Sequence, residues 1–145
     1  MIRIQTEDMD IGALITAAKQ SGTGAVLVFD GIVRDDDITE MELEAYADVA
    51  VAEMEKIATE ATAQFRLQHI DIIHRIGRLA VGENILVIVV SASHRQDAYA
   101  GSRYIIDEIK KSVPIWKKEL TKDGGRWVAG EHGHGAGKHP HCPPG

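Results

Sequence analysis

Cysteine and basic charge are both scarce in this chain. One residue of 145 is cysteine, and 16 lysines and arginines stand against 22 aspartates and glutamates, for a formal net charge of −6. A lone thiol, Cys142, forms no intramolecular disulfide. Because it lies in a Gly/His/Pro-rich terminal stretch, persulfide or thiolate chemistry in an ordered core pocket has no donor. The acidic balance argues against a nucleic-acid-binding surface spread over the molecule. Long apolar runs are missing too. None reaches the roughly 18 to 20 residues that span a bilayer, and Met1-Ile2-Arg3-Ile4-Gln5 lacks the apolar centre of a signal peptide. A cytoplasmic location, with neither membrane nor nucleic acid as partner, is the expectation.

What remains is ordinary globular usage, 44% hydrophobic and 26% charged, in a length that suits one domain. Residues 1–129 are expected to form it. From Gly130 onward the chain has no periodicity and almost no apolar content, so 130–145 reads as a disordered tail. Its His132, His134, His139, His141 and Cys142 are competent metal ligands, but irregular spacing argues against a specific metal site.

Hydrophobic periodicity organises the rest. Alternation predicts a strand at Ile2–Gln5, and Ile11, Leu14, Ile15 and Ala18 fall on one helical face. Ala25–Phe29 is a nearly continuous apolar run, the mark of a strand covered on both faces. Met41–Tyr46 alternates and is expected to return towards the first strand. Ala50, Met54, Ile57, Ala61 and Phe65 mark one amphipathic helix, and Ala98, Ser102, Ile105, Ile109 and Val113 mark a second that Pro114 closes. Ile70–Ile76 and Ile85–Val90 read as strands, 79–84 as a turn region, and Arg126-Trp127-Val128 as a final strand. Strands and two long helices in mixed order give an α+β fold, with the helices on a mostly antiparallel sheet.

Chemistry concentrates around the second long helix. Ser93 with Gln96 three residues on has capping-box spacing, which puts His94 and Arg95 in the first turn. There the free N–H groups, the helix dipole and a guanidinium fork favour a phosphate or carboxylate. Arg34 follows a buried strand and Gly31, where it either faces a ligand or pairs with Asp35, Asp36 or Asp37. In the extended run after Pro114, Lys117 shares a face with Ile115 and Lys118 with Trp116, so only one lysine readily enters a given pocket. A lysine partly desolvated beside other cations would have a lowered pKa and could act as acid, base or nucleophile. A continuous helix separates His94 from Lys110 by about 24 Å. The two ends then either serve different purposes or meet across a two-fold dimer.

Phe29-Asp30-Gly31-Ile32-Val33-Arg34, Leu43-Glu44-Ala45-Tyr46, His74-Arg75-Ile76-Gly77, Ser93-His94-Arg95 and Pro114-Ile115-Trp116-Lys117-Lys118-Glu119, in this order, resemble the large, catalytic subunit of molybdopterin synthase. The resemblance implies an α/β-hammerhead type of α+β fold and a homodimer carrying a small ubiquitin-like subunit at each end, a heterotetramer. It implies a sulfurtransferase that takes sulfur from the small subunit's C-terminal thiocarboxylate. Cyclic pyranopterin monophosphate would be the acceptor and the molybdopterin dithiolene the product. By match to the family motifs, Lys110 and Lys117 would be the catalytic lysines, and Arg34, His94 and Arg95 the anion-binding group. No resident cofactor or metal is implied. Two alternatives stay open: a relative that binds the small subunit or a pterin phosphate without turnover, and a metal-handling protein working through its His-rich tail.

Overall fold

The computed structural model describes residues 1–121 and 124–128. The expected tail from Gly130, with its histidines and Cys142, lies outside the described residues.

Among the described residues, eight strands and three helices follow one another as β1 (Ile2–Gln5), α1 (Ile11–Ala18), β2 (Ala25–Ile32), β3 (Glu40–Ala45), α2 (Ala47–Phe65), β4 (Leu67–Arg75), β5 (Gly77–Ala80), β6 (Asn84–Ala92), α3 (Arg95–Ser112), β7 (Ile115–Thr121) and β8 (Gly124–Val128). They form two four-stranded sheets, ordered β1-β4-β6-β2 and β5-β3-β7-β8. Among the described residues, only β1 and β4 run parallel. The fold is thus α+β and mostly antiparallel, as the residue pattern predicts.

The first sheet is covered on both faces, which explains the near-continuous apolar run of β6. Ile72, Ile88 and Val90 join Met54, Ile57 and Ala61 of α2 and Ile105 and Ile109 of α3 in the main core. Ile73, Val87 and Val89 pack with Leu14 and Ala18 of α1 on the other face. Each helix buries the stripe its 3.6-residue period marks. Helix α1 starts where the Asp10 carboxylate accepts from the Ala13 N–H at 3.0 Å, a side-chain cap. Helix α3 ends at Val113, ahead of Pro114, with Lys110 and Lys111 in its last turn, where cations complement the dipole.

Three expectations need correction. Residues 79–84 do not form a turn throughout. Gly77, with φ of 99°, starts the short strand β5, which pairs with β3 and buries Leu79 to 1% exposure. Strand β3 does not return to the first strand; it sits between β5 and β7 in the second sheet. Ser93 does not cap α3 either. The N-cap is His94, with no side-chain cap bond, and the Ser93 hydroxyl instead accepts from Gln68 Nε2 at 3.3 Å.

Candidate active site

The two sheets and the C-terminal end of α3 enclose a cavity of about 500 Å³, within the range of small-ligand sites. Phe29, Gly31 and Ile32 enter from the end of β2, with Arg34 just beyond. His74 comes from β4, and Ile85 and Leu86 from the start of β6. The second sheet contributes Met41, Ile115, Lys117 and Val128, and α3 adds Ile109 and Lys110. An apolar wall with a few cationic tips is the result. Gly31 keeps it open, since a Cβ there would stand 3.3 Å from the Phe29 ring.

Three of the five residues singled out by sequence therefore share one cavity: Arg34, Lys110 and Lys117. His94 and Arg95 do not join them. They line a separate pocket of about 360 Å³ with Gly24, Ser93 and Gln96. Helix α3 is continuous from Arg95 to Ser112, so the two clusters stand at its opposite ends, more than 20 Å apart at ~1.5 Å per residue.

The choice between adjacent lysines is made by strand alternation together with the neighbouring strand. Lys117 is half-buried and faces the cavity beside Ile115. Lys118, on the other face, sits over the Trp127 ring at 5.6 Å, a cation–π contact across the β7/β8 pair. Lys110 is exposed. Arg34 combines both of its readings, since it lines the cavity and its Nε lies 3.3 Å from Asp36 Oδ2. With side chains 83% and 59% exposed, that pair adds little stability. Asp36→Asn should leave the melting free energy unchanged within about 0.5 kcal/mol. It should also tighten binding of a phosphate-bearing ligand about two- to threefold by removing a nearby negative charge; a calorimetric titration beside a thermal melt checks both.

The opposite side of the β2 end carries Asp30, whose carboxyl is raised above the usual range by partial burial and then by nearby Asp8. Arg75, buried beside His74, is spent on structure. Its guanidinium donates to the Thr6 carbonyl at 3.0 and 2.9 Å, to the Asn84 carbonyl at 3.2 Å and to Glu83 Oε1 at 3.3 Å. The Glu83 carboxyl is held below its usual value by the Ala80 N–H first and Arg75 second. Asp8 is lowered by Asn84 and then by the Met9 N–H.

No local sequence pattern marks Phe29, Met41, His74, Ile85 or Ile109 as cavity residues. His74 was visible within a motif, but which buried histidine reaches a cavity depends on the packing of the two sheets. No group of three or more metal-ligating side chains stands together among the described residues. No helix among them is long and apolar enough to cross a membrane.

The chain is thus an α+β domain with an apolar cavity tipped by cations and a second pocket, lined by His94 and Arg95, at a helix N-terminus. The MoaE protein family model matches residues 4–112. The molybdopterin synthase catalytic subunit of Pyrococcus abyssi is 42% identical over 129 residues, covering 86% of this chain and 87% of that protein. The crystal structure of molybdopterin synthase from Staphylococcus aureus superposes with a TM-score of 0.83 at 34% identity, over 88% of this chain and 96% of that one. A Helicobacter pylori structure, described as a complex of subunits 1 and 2 of molybdopterin-converting factor, shares the fold with a TM-score of 0.75 at 24% identity, over 87% of this chain and 88% of that one. The chain belongs to the MoaE protein family.

Proposed function

We propose that this chain is the catalytic subunit of a molybdopterin synthase and that its two cationic pockets hold the two reactants. The cavity with Arg34, Lys110 and Lys117 takes the C-terminal thiocarboxylate of a small ubiquitin-like subunit. The His94/Arg95 pocket takes the phosphate of cyclic pyranopterin monophosphate, and Arg34 adds to that anion-binding group. The observation that carries the reading is a cationic cavity in a domain with no cysteine before Cys142. Such a site suits an anionic sulfur donor brought in by a partner.

Chemistry follows from the charges. An ammonium group beside a thiocarboxylate neutralises it on entry; once the sulfur has bonded to an acceptor carbon, water adds to the acyl carbon, the acyl C–S bond breaks with the sulfur staying on the acceptor, and the small subunit leaves as a carboxylate, the ammonium stabilising the oxyanion formed in between. Lys117, half-buried, is placed for proton transfer or covalent tethering at that carbon; Lys110 is its electrostatic partner. At the other pocket, free N–H groups at the start of α3 and the Arg95 fork match a phosphate. The length of α3 keeps the pockets apart within one chain. A two-fold dimer that sets one protomer's His94 and Arg95 beside its partner's lysine cavity supplies the missing juxtaposition.

The test is a single-turnover reaction of this chain with thiocarboxylated small subunit and the cyclic monophosphate, with molybdopterin followed as its fluorescent oxidised derivative. Product at a stoichiometry set by the thiocarboxylate is expected. No product from a complex verified by gel filtration would overturn catalysis and leave a binding protein, with Asp36 engaging Arg34 in place of substrate.

A further inference from the structure

His74 lies at the edge of the motif His74-Arg75-Ile76-Gly77, and neither pocket's proposed chemistry uses it. It is 4% exposed, lines the lysine cavity, and is paired in register with Leu86 of the same wall. Its Nδ1 stands 2.8 Å from the Arg75 carbonyl oxygen. A carbonyl oxygen only accepts, so Nδ1 must carry the proton, and in the neutral ring Nε2 is then an acceptor. That carbonyl is well anchored, because the Arg75 side chain is fastened to Thr6, Glu83 and Asn84. The ring orientation is therefore set by the main chain rather than by a ligand. The charged groups sharing the cavity wall among the described residues are Arg34, Lys110 and Lys117, all cations.

We propose that His74 is a positioning residue for the reaction, whose Nε2 accepts a hydrogen bond from the Lys117 ammonium and aims that group at the incoming thiocarboxylate. The inference rests on the reading of this cavity as the sulfur-transfer site. A lysine side chain has several rotatable bonds and no preferred aim of its own. A fixed neutral acceptor holds the ammonium at one place without neutralising the charge the donor needs. Aspartate or glutamate in that position would cancel the charge.

Two measurements test it. In the full-length protein, ¹⁵N NMR of labelled histidine should show His74 with the proton on Nδ1 and an Nε2 resonance that shifts in Lys117→Met. An Nε2 resonance unmoved by that substitution overturns the proposal, whatever the protein's activity. In the single-turnover assay, His74→Asn keeps an N–H to donate to the Arg75 carbonyl and removes only the Nε2 acceptor. Its rate should fall about 10²-fold, the cost of misplacing a reacting group by about an ångström, with small-subunit affinity and melting temperature retained. His74→Gln, with an acceptor at the Nε2 position, should recover most of that rate. A wild-type rate in His74→Asn, or equal losses of rate, affinity and melting temperature in both variants, would make the ring mere packing. Product formation by the unmodified chain judges the sulfur-transfer reading separately.

Discussion

Lys117→Ala is expected to abolish dithiolene formation while the chain still folds and still pairs. Lys117 sits on β7, opposite Leu43 on one side and Val128 on the other, and it is the half-buried cation of the cavity. Acid–base groups contribute about 10² to 10⁴ in rate, and loss of a fixed charge-stabilising donor costs about 10² to 10³. A single-turnover rate down by at least about 10³-fold is therefore expected. Folding has less at stake. Replacing a half-buried lysine in a strand changes β-propensity and packing on a scale of about 1 kcal/mol, which a well-paired second sheet absorbs. A single-turnover trace, a gel-filtration profile and a thermal melt separate these effects. Near-normal turnover would remove Lys117 from the mechanism.

Gly24→Ala should damage the other pocket through the backbone. A Cβ at Gly24 would overlap the Ser93 carbonyl oxygen and stand 3.1 Å from the Ser93 carbonyl carbon. Neither partner yields cheaply. The Gly24 N–H donates to the Ala92 carbonyl at 2.9 Å, and β2 begins at the next residue, where Ala25 pairs with Ala92. The overlap is relieved only by moving Ser93 and, with it, His94 and Arg95 at the start of α3. Overpacking of this kind costs about 1 to 3 kcal/mol. Displacement of the proposed anion-binding turn should weaken precursor binding about tenfold, equivalent to about 1.4 kcal/mol. Circular-dichroism melts and a precursor titration read the two losses. A variant that binds and melts like the parent would show that this turn is free to shift and does not define the pocket.

Sequence periodicity located the long elements because each repeats its signal many times. Helices α2 and α3 bury the stripes of residues 50–61 and 98–109 that the 3.6 period marks. Strand β5 escaped because it has four residues, starts at a glycine and turns one large apolar side chain, Leu79, inward. Alternation says which face a residue takes but not which strand lies beside it. For that reason the division into two sheets, and the place of β3 between β5 and β7, was not legible. The capping-box spacing of Ser93 and Gln96 was a sound local signal overridden by tertiary structure, since Gln68 of β4 reaches the Ser93 hydroxyl.

The candidate site shows the same division between local and tertiary information. Alternation along β7 separated Lys117 from Lys118, yet only the pairing with β8, which sets Trp127 beside Lys118, shows where Lys118 goes. The distance between His94 and Lys110 followed from helical rise alone, and the two pockets at opposite ends of α3 agree with it. Which residues wall the cavity between the sheets, His74 among them, depends on packing that no local pattern encodes.

In the proposed dimer, one catalytic site draws its lysines from one protomer and its anion-binding turn from the other. Co-expressing a Lys117→Ala chain with an Arg95→Ala chain tests it most directly. Each substitution alone is expected to inactivate the homodimer. With random pairing, half the dimers are mixed, and each mixed dimer holds one site with both residues intact. Recovery of about a quarter of the wild-type single-turnover amplitude is expected. Verified mixed dimers with no recovered activity would contradict it, because every site would then need both residues from the same chain.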